Sequence, residues 1–119
     1  MVHIEIEDGR LCISVEGLHQ ALSLKKHIDI PLSHVQGAHP DPGAAKGWQG
    51  IRAPGAYFPG LITAGSFKKD GEWSFFDVHN PDRALVIDLE NEHYKRLVVE
   101  VGDPAATAEI INEAIKAAQ

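Results

Sequence analysis

"ALVIDLENEHYKRLVVEVGDPAATAEIINEAIKAAQ", residues 84–119, changes its hydrophobic period once, and that change decides the fold. Its first half holds two apolar runs, "ALVIDLE" and "KRLVVEV", rich in β-branched residues and joined by "NEHY", a length suited to a hairpin connection. Both read as strands. After Gly102 the pattern switches. Asp103 offers an N-cap carboxylate and Pro104 a preset φ at the first helical position, while Ile110, Ile111, Ala114, Ile115 and Ala118 recur at helical spacing. One amphipathic helix after a run of strands needs an apolar surface to cover.

Working upstream, "LITAGSFKKDGEWSFFDVHN" supplies two more strands around Asp70-Gly71, a dipeptide that accepts the positive φ of a tight turn. The N-terminus repeats the device. "VHIEIE" sets Val2, Ile4 and Ile6 against His3, Glu5 and Glu7, Asp8-Gly9 turns the chain, and "RLCISVEG" resumes with Leu11, Ile13 and Val15 inward. "LHQALSL" has room for one or two helical turns. "KKHIDIPL" places Ile28, Ile30 and Leu32 on one face; Pro31 marks an edge position or a bend, and "SHVQGAHP" reads as the same strand continuing past it. From His39 to Gly60, Pro40, Pro42, Pro54 and Pro59 lie among glycines without a sustained period. This reads as a long loop, a kind that is usually functional inside a compact domain. The sum is about seven strands. Pairs joined by tight turns imply an antiparallel meander, a strongly bent sheet or two-sheet barrel whose open end the helix plugs.

The chain has 119 residues, 44% hydrophobic and 24% charged, without a composition shift that marks a linker. It reads as a single globular domain over residues 1–119. A net charge of -6 sets a long-range repulsion against duplex DNA and acidic membranes. The basic doublets Lys25-Lys26, Lys68-Lys69 and Lys95-Arg96 are scattered and read as solvated strand ends and turns. The one cysteine, Cys12, sits in a strand-like stretch with no helix N-terminus beside it, so an inert thiol and a reducing cytoplasm are the expectation. No apolar run approaches the roughly 20 residues of a membrane span.

Four quoted stretches carry a resemblance to a family: "DIPLSHVQGAHPDP", "IRAPGAYFPGLITAGSF", "EWSFFDVHNPDRALVIDLE" and "KRLVVEVGDPAATAEIINEA". Over about residues 25 to 116 the chain resembles bacterial pleckstrin-homology-like (PH-like) domains. The most specific part is the ordered combination of an R-x-P-G segment, an aromatic-Pro-Gly step and the "AGSF" strand. The resemblance implies a mainly β fold with one C-terminal α-helix, a PH-like barrel of about seven antiparallel strands in two nearly orthogonal sheets, capped by the helix. It implies little about activity, because this architecture hosts lipid binding, peptide binding and self-association alike. Lipid-binding members of the wider superfamily use basic residues on the first hairpin. Here that hairpin reads "EIEDGRL", with three acids and one Arg.

Among seven histidines, His34 and His39 with Asp41 invite a metal reading, but five-residue spacing on a strand points to opposite faces. Exposed or structural histidines, and no metal or cofactor, are expected. For hydrolysis, "FDVHNPD" places Asp77 and His79 two apart on a strand face, with Asp82 nearby and Ser66 or Ser74 as nucleophile. Asn80-Pro81 with Asp82 is equally what a hairpin connection needs without catalysis. In "IRAPGAYFPGLITAGSF" the two Pro-Gly steps steer the chain. Trp48 upstream, with Arg52, Tyr57 and Phe58 inside the stretch, is left as the candidate partner-binding surface, aromatics and Arg being enriched at hot spots.

The expected function is a non-catalytic PH-like module that binds a protein partner or assembles with itself, a possible homo-oligomer. The alternatives are a small hydrolase-type enzyme using Asp77 and His79, and an acidic-lipid-binding domain. Nucleic-acid binding is not expected, and membrane binding is disfavoured by charge.

Overall fold

Asp8 and Gly9 close the first hairpin at φ 52° and 74°, the left-handed pair that a two-residue turn between right-twisted strands requires. The computed structural model describes residues 1–15, 27–45, 51–58 and 62–119, side chains at 45, 51–58, 62 and 63 excepted; "LHQALSL", Lys25-Lys26 and Trp48 lie outside the described residues. The first hairpin belongs to a three-stranded antiparallel sheet. β1 (Val2–Glu7) pairs with β2 (Arg10–Val15) in unbroken register, from Val2 opposite Val15 to Glu7 opposite Arg10, and β2 pairs with β3 (His27–Pro31). Val2, Leu11, Ile13, Val15, Ile28 and Ile30 are buried and His3, Glu5 and Glu7 exposed, as the alternation requires.

Pro31 marks a change of sheet rather than a kink within one strand. A 3-10 turn at Leu32–His34 separates β3 from β4 (Val35–Pro40), and β4 joins a second sheet. That sheet also holds β5 (Ile51–Phe58), β6 (Ile62–Lys69), β7 (Glu72–Val78), β8 (Ala84–Leu89) and β9 (Tyr94–Glu100), in the order β4-β8-β9-β7-β6-β5. The expected loop from His39 to Gly60 therefore contains a whole strand. Its period is hidden because Pro54 sits where the β5–β6 register shifts, between Arg52 and Gly55; an edge strand with a bulge tolerates such a proline.

The antiparallel meander is corrected at one place. β9 is inserted between β7 and β8, antiparallel to β8 and parallel to β7, with Phe76 opposite Val98. "HNPD" is therefore not a hairpin turn. It carries the chain past the end of β9 through a 3-10 turn at Pro81–Arg83, where Asn80 Oδ1 accepts a hydrogen bond from the Asp82 N–H at 3.0 Å. The described strands form a three-stranded and a six-stranded sheet with β1, β3, β4 and β5 as edge strands, in place of a closed barrel of about seven.

β8 and β9 are buried along nearly their whole length because the six-stranded sheet has a core on each side. Leu85, Ile87, Phe75 and Leu97 face the three-stranded sheet and the helix; Val86, Val98, Phe76 and Phe67 form the second cluster. Phe76 lies opposite Gly65, whose φ of 117° excludes an L side chain at low energy, and meets Phe67 edge-on with centroids 5.3 Å apart. Helix α1 (Pro104–Ala118) starts as its cap motif requires, Asp103 Oδ1 accepting from the Ala106 N–H at 3.1 Å. It buries Ala108 and Ile111 and packs chiefly along β4, leaving Ile110 62% exposed.

Candidate binding surface

Sheet edges are where a β protein offers unpaired backbone, so each edge matters for binding and for aggregation. Three of the four edge strands carry a proline: Pro31 ends β3, Pro40 ends β4 and Pro54 interrupts β5. β4 is also covered by α1, whose Asn112 side chain hydrogen-bonds to Ala38. β1 has neither device. It is six residues long, regular in register, and has no proline, lysine or bulge.

The direction of its free groups follows from the turn. In a two-residue hairpin the residues flanking the turn form a mutually hydrogen-bonded pair, here Glu7 and Arg10, and this type recurs at every second residue. Glu7, Glu5 and His3 thus direct N–H and C=O toward β2. Those of Ile6, Ile4 and Val2 point away from it. A groove of about 410 Å³ runs beside this edge, lined by Val2, Ile4 and Ile6 of β1 and by Thr107, Ile110 and Ile111 of α1. His3, whose side chain belongs to the opposite face of the sheet, also borders the groove. On the outer face the side chains of His3 and Glu5 hydrogen-bond at 2.9 Å.

The residues expected to bind a partner are divided. Arg52, Tyr57 and Phe58 lie on edge strand β5, opposite Phe67, Thr63 and Ile62, while Trp48 is outside the described residues. Asp77 and His79 differ in exposure: Asp77 is fully buried within β7, and His79 is exposed beyond the strand's end, its N–H donating to Glu100 Oε1 at 2.9 Å. The nominated nucleophile Ser66 hydrogen-bonds to the Tyr94 hydroxyl at 2.6 Å. His34 Nδ1 meets Glu92 Oε2 at 2.6 Å and His39 lies 3.9 Å from Asp88, so each pairs locally with a different carboxylate.

Two features were missed by sequence reasoning. Trp73, His93 and Tyr94 form a ring cluster, with Trp73 stacked on His93 at 5.7 Å, His93 edge-on to Tyr94 at 4.9 Å and Lys68 Nζ 5.9 Å from the Trp73 ring. "NEHY" reads locally only as a connection, and nothing near it signals that Trp73 lies opposite Tyr94 across the parallel pair. The other is the solvent face of the first sheet. Cys12 stands between Glu5 on β1 and Asp29 on β3; desolvation first, then the Asp29 and Glu7 carboxylates, push its thiol pKa up. Arg10, the single cation of the hairpin, is held by Asp29. Comparison with protein-family models, with curated proteins and with solved structures finds no match to this chain.

Proposed function

We propose that the chain is a non-catalytic PH-like module that binds an extended protein segment or assembles with itself by strand addition. The carrying observation is β1, an unguarded edge strand whose outward backbone groups border a groove of mixed polarity, lined in part by Ile4, Ile6 and Ile111, with Ile110 exposed beside it. Strand addition takes affinity from main-chain hydrogen bonds and specificity from pockets for alternate side chains, and β1 with its groove offers both. The two-sheet architecture with a C-terminal helix supports the PH-like reading, although the parallel β7–β9 pair departs from the expected all-antiparallel order. Arg52, Tyr57 and Phe58, whose backbone lies on edge strand β5, are proposed as a second contact set, with Trp48 added to them from its residue type alone, and the proposed setting is the cytoplasm.

Panning a displayed library of extended eight-residue peptides against the purified protein tests this reading. Ile4→Pro removes one outward N–H of β1 and no hydrogen bond of the β1–β2 ladder, so it should abolish retention of the selected peptides. Tyr57→Ala and Arg52→Ala report in the same way on the β5 surface. Failure of the wild type to retain any peptide, together with a monomeric state at every concentration, overturns the proposal.

A further inference from the structure

We infer that the occupant of the β1 edge is a second copy of this chain, added antiparallel about a two-fold axis through Ile4. The inference rests on the binding-module reading and names its partner. Backbone geometry restricts the register. Only Val2, Ile4 and Ile6 present free N–H and C=O groups, so an antiparallel β1–β1 pair must place these residues opposite one another. Centring the pair on Ile4 uses all three, with Ile4 opposite Ile4 and Val2 opposite Ile6; centring on Val2 or Ile6 uses fewer.

This register, chosen on backbone grounds alone, brings His3 of one copy opposite Glu5 of the other, twice. The outer face then becomes a chequerboard of imidazoles and carboxylates, each with a complementary neighbour both along its own strand and across the seam. The existing His3–Glu5 contact at 2.9 Å shows that the two side chains already reach for each other on this face. A register centred on Glu5 would still set Ile4 opposite Ile6 at the seam, but it leaves the outward groups of Val2 unused and opposes carboxylate to carboxylate. The register that uses the most backbone hydrogen bonds is thus also the one that sets unlike side chains opposite each other.

The apolar face agrees. A two-fold axis perpendicular to the sheet keeps both α1 helices on the same side, flanking the seam, and lays the partner's Val2, Ile4 and Ile6 toward the groove beside Ile110. Ile110, the most exposed large apolar side chain among those described, then gains a cover. The absence of proline, lysine and bulge from β1 is explained too, since each would block the pairing that the other three edges avoid.

Sedimentation velocity over a concentration series, combined with residue-resolved amide exchange, tests the inference on the full chain. The expected result is a dimer in which the Ile4 and Ile6 amides gain protection with concentration, while those of Glu5 and Glu7 are protected throughout. His3→Glu should raise the dimer dissociation constant about tenfold or more, because both symmetric pairs turn repulsive at once. Combining His3→Glu with Glu5→His should restore it. In an oxidising buffer, Ile4→Cys in a Cys12→Ser background should cross-link to a dimer, since position 4 alone faces itself, whereas Ile6→Cys should not.

A monomer at all concentrations overturns the inference, as does a dimer whose Ile4 amide stays unprotected or a double variant that fails to restore pairing. If the monomer still retains a displayed extended peptide that protects the Ile4 amide, the binding-module reading survives and only the second copy is excluded. If it retains none, both fall.

Discussion

Asn112 completes the edge of β4: its side-chain Oδ1 accepts a hydrogen bond from the Ala38 N–H, and its Nδ2 donates to the Ala38 C=O, each at 2.9 Å. A carboxamide carries one donor and one acceptor side by side, so a helical side chain here acts as one residue of a neighbouring strand. The helix thereby closes one sheet edge to outside partners, and β1 is left as the unguarded one.

Asn112→Ala should destabilise the protein by about 1 to 3 kcal/mol, because two half-buried backbone groups lose their partner together. Asn112→Asp should lose most of that as well, since a carboxylate cannot donate to the Ala38 C=O. Urea unfolding of both variants measures it, and loss of protection at the Ala38 amide should accompany the change.

Ile110 and Ile111 are neighbours with opposite fates. Ile111 is fully buried between helix and sheets, whereas Ile110 is 62% exposed. Ile111→Ala should cost about 2 to 5 kcal/mol and Ile110→Ala only a few tenths in the monomer. Equal costs for the two in thermal unfolding would show that the helix is rotated about its axis.

Glu100 is buried, and its Oε1 accepts from the N–H groups of both His79 and Asn80, at 2.9 and 3.2 Å. It anchors the crossing that lets β9 lie between β7 and β8. Glu100→Ala should cost about 1 to 3 kcal/mol by leaving those donors unmet, and Glu100→Gln, which keeps an acceptor oxygen, should cost less. Chemical denaturation of the pair separates the hydrogen bonds from the charge.

Cys12 should react slowly with iodoacetamide at neutral pH. The thiolate is the nucleophile, a raised pKa lowers its fraction at any pH below that value, and the rate should climb with pH later than it does for a free thiol. Asp29→Asn removes a carboxylate that raises the pKa and should speed labelling. A rate equal to that of an unfolded cysteine peptide would show that neither burial nor the carboxylates reach the sulfur.

Acidic vesicles should not bind the domain. A basic patch contributes about 1 kcal/mol per Lys or Arg near such a membrane, but the first hairpin exposes Glu5, Glu7 and Asp8, and its Arg10 is engaged by Asp29. Co-sedimentation with phosphatidylserine or phosphoinositide vesicles in low salt should leave the protein in the supernatant.

Much of this molecule was legible residue by residue. The two Asp-Gly turns, the inward set of β2, the hairpin of β8 and β9, and the capped terminal helix all rest on signals within a few positions: a positive φ, an alternation, a carboxylate three residues before an N–H. Burial of the first sheet's inner face followed from the same alternation.

What the tertiary structure alone decided is which strands are neighbours. Insertion of β9 beside a parallel β7, the transfer of the chain from β3 to the other sheet at Pro31, and the strand hidden around Pro54 depend on contacts between residues far apart in sequence. The same holds for Glu100 beneath the "HNPD" crossing, for Trp73 against His93, and for Ile110 exposed while Ile111 is buried. A local pattern states that a face is apolar. Only the assembled sheets determine whether something covers it, and the edge of β1 is where nothing among the described residues does.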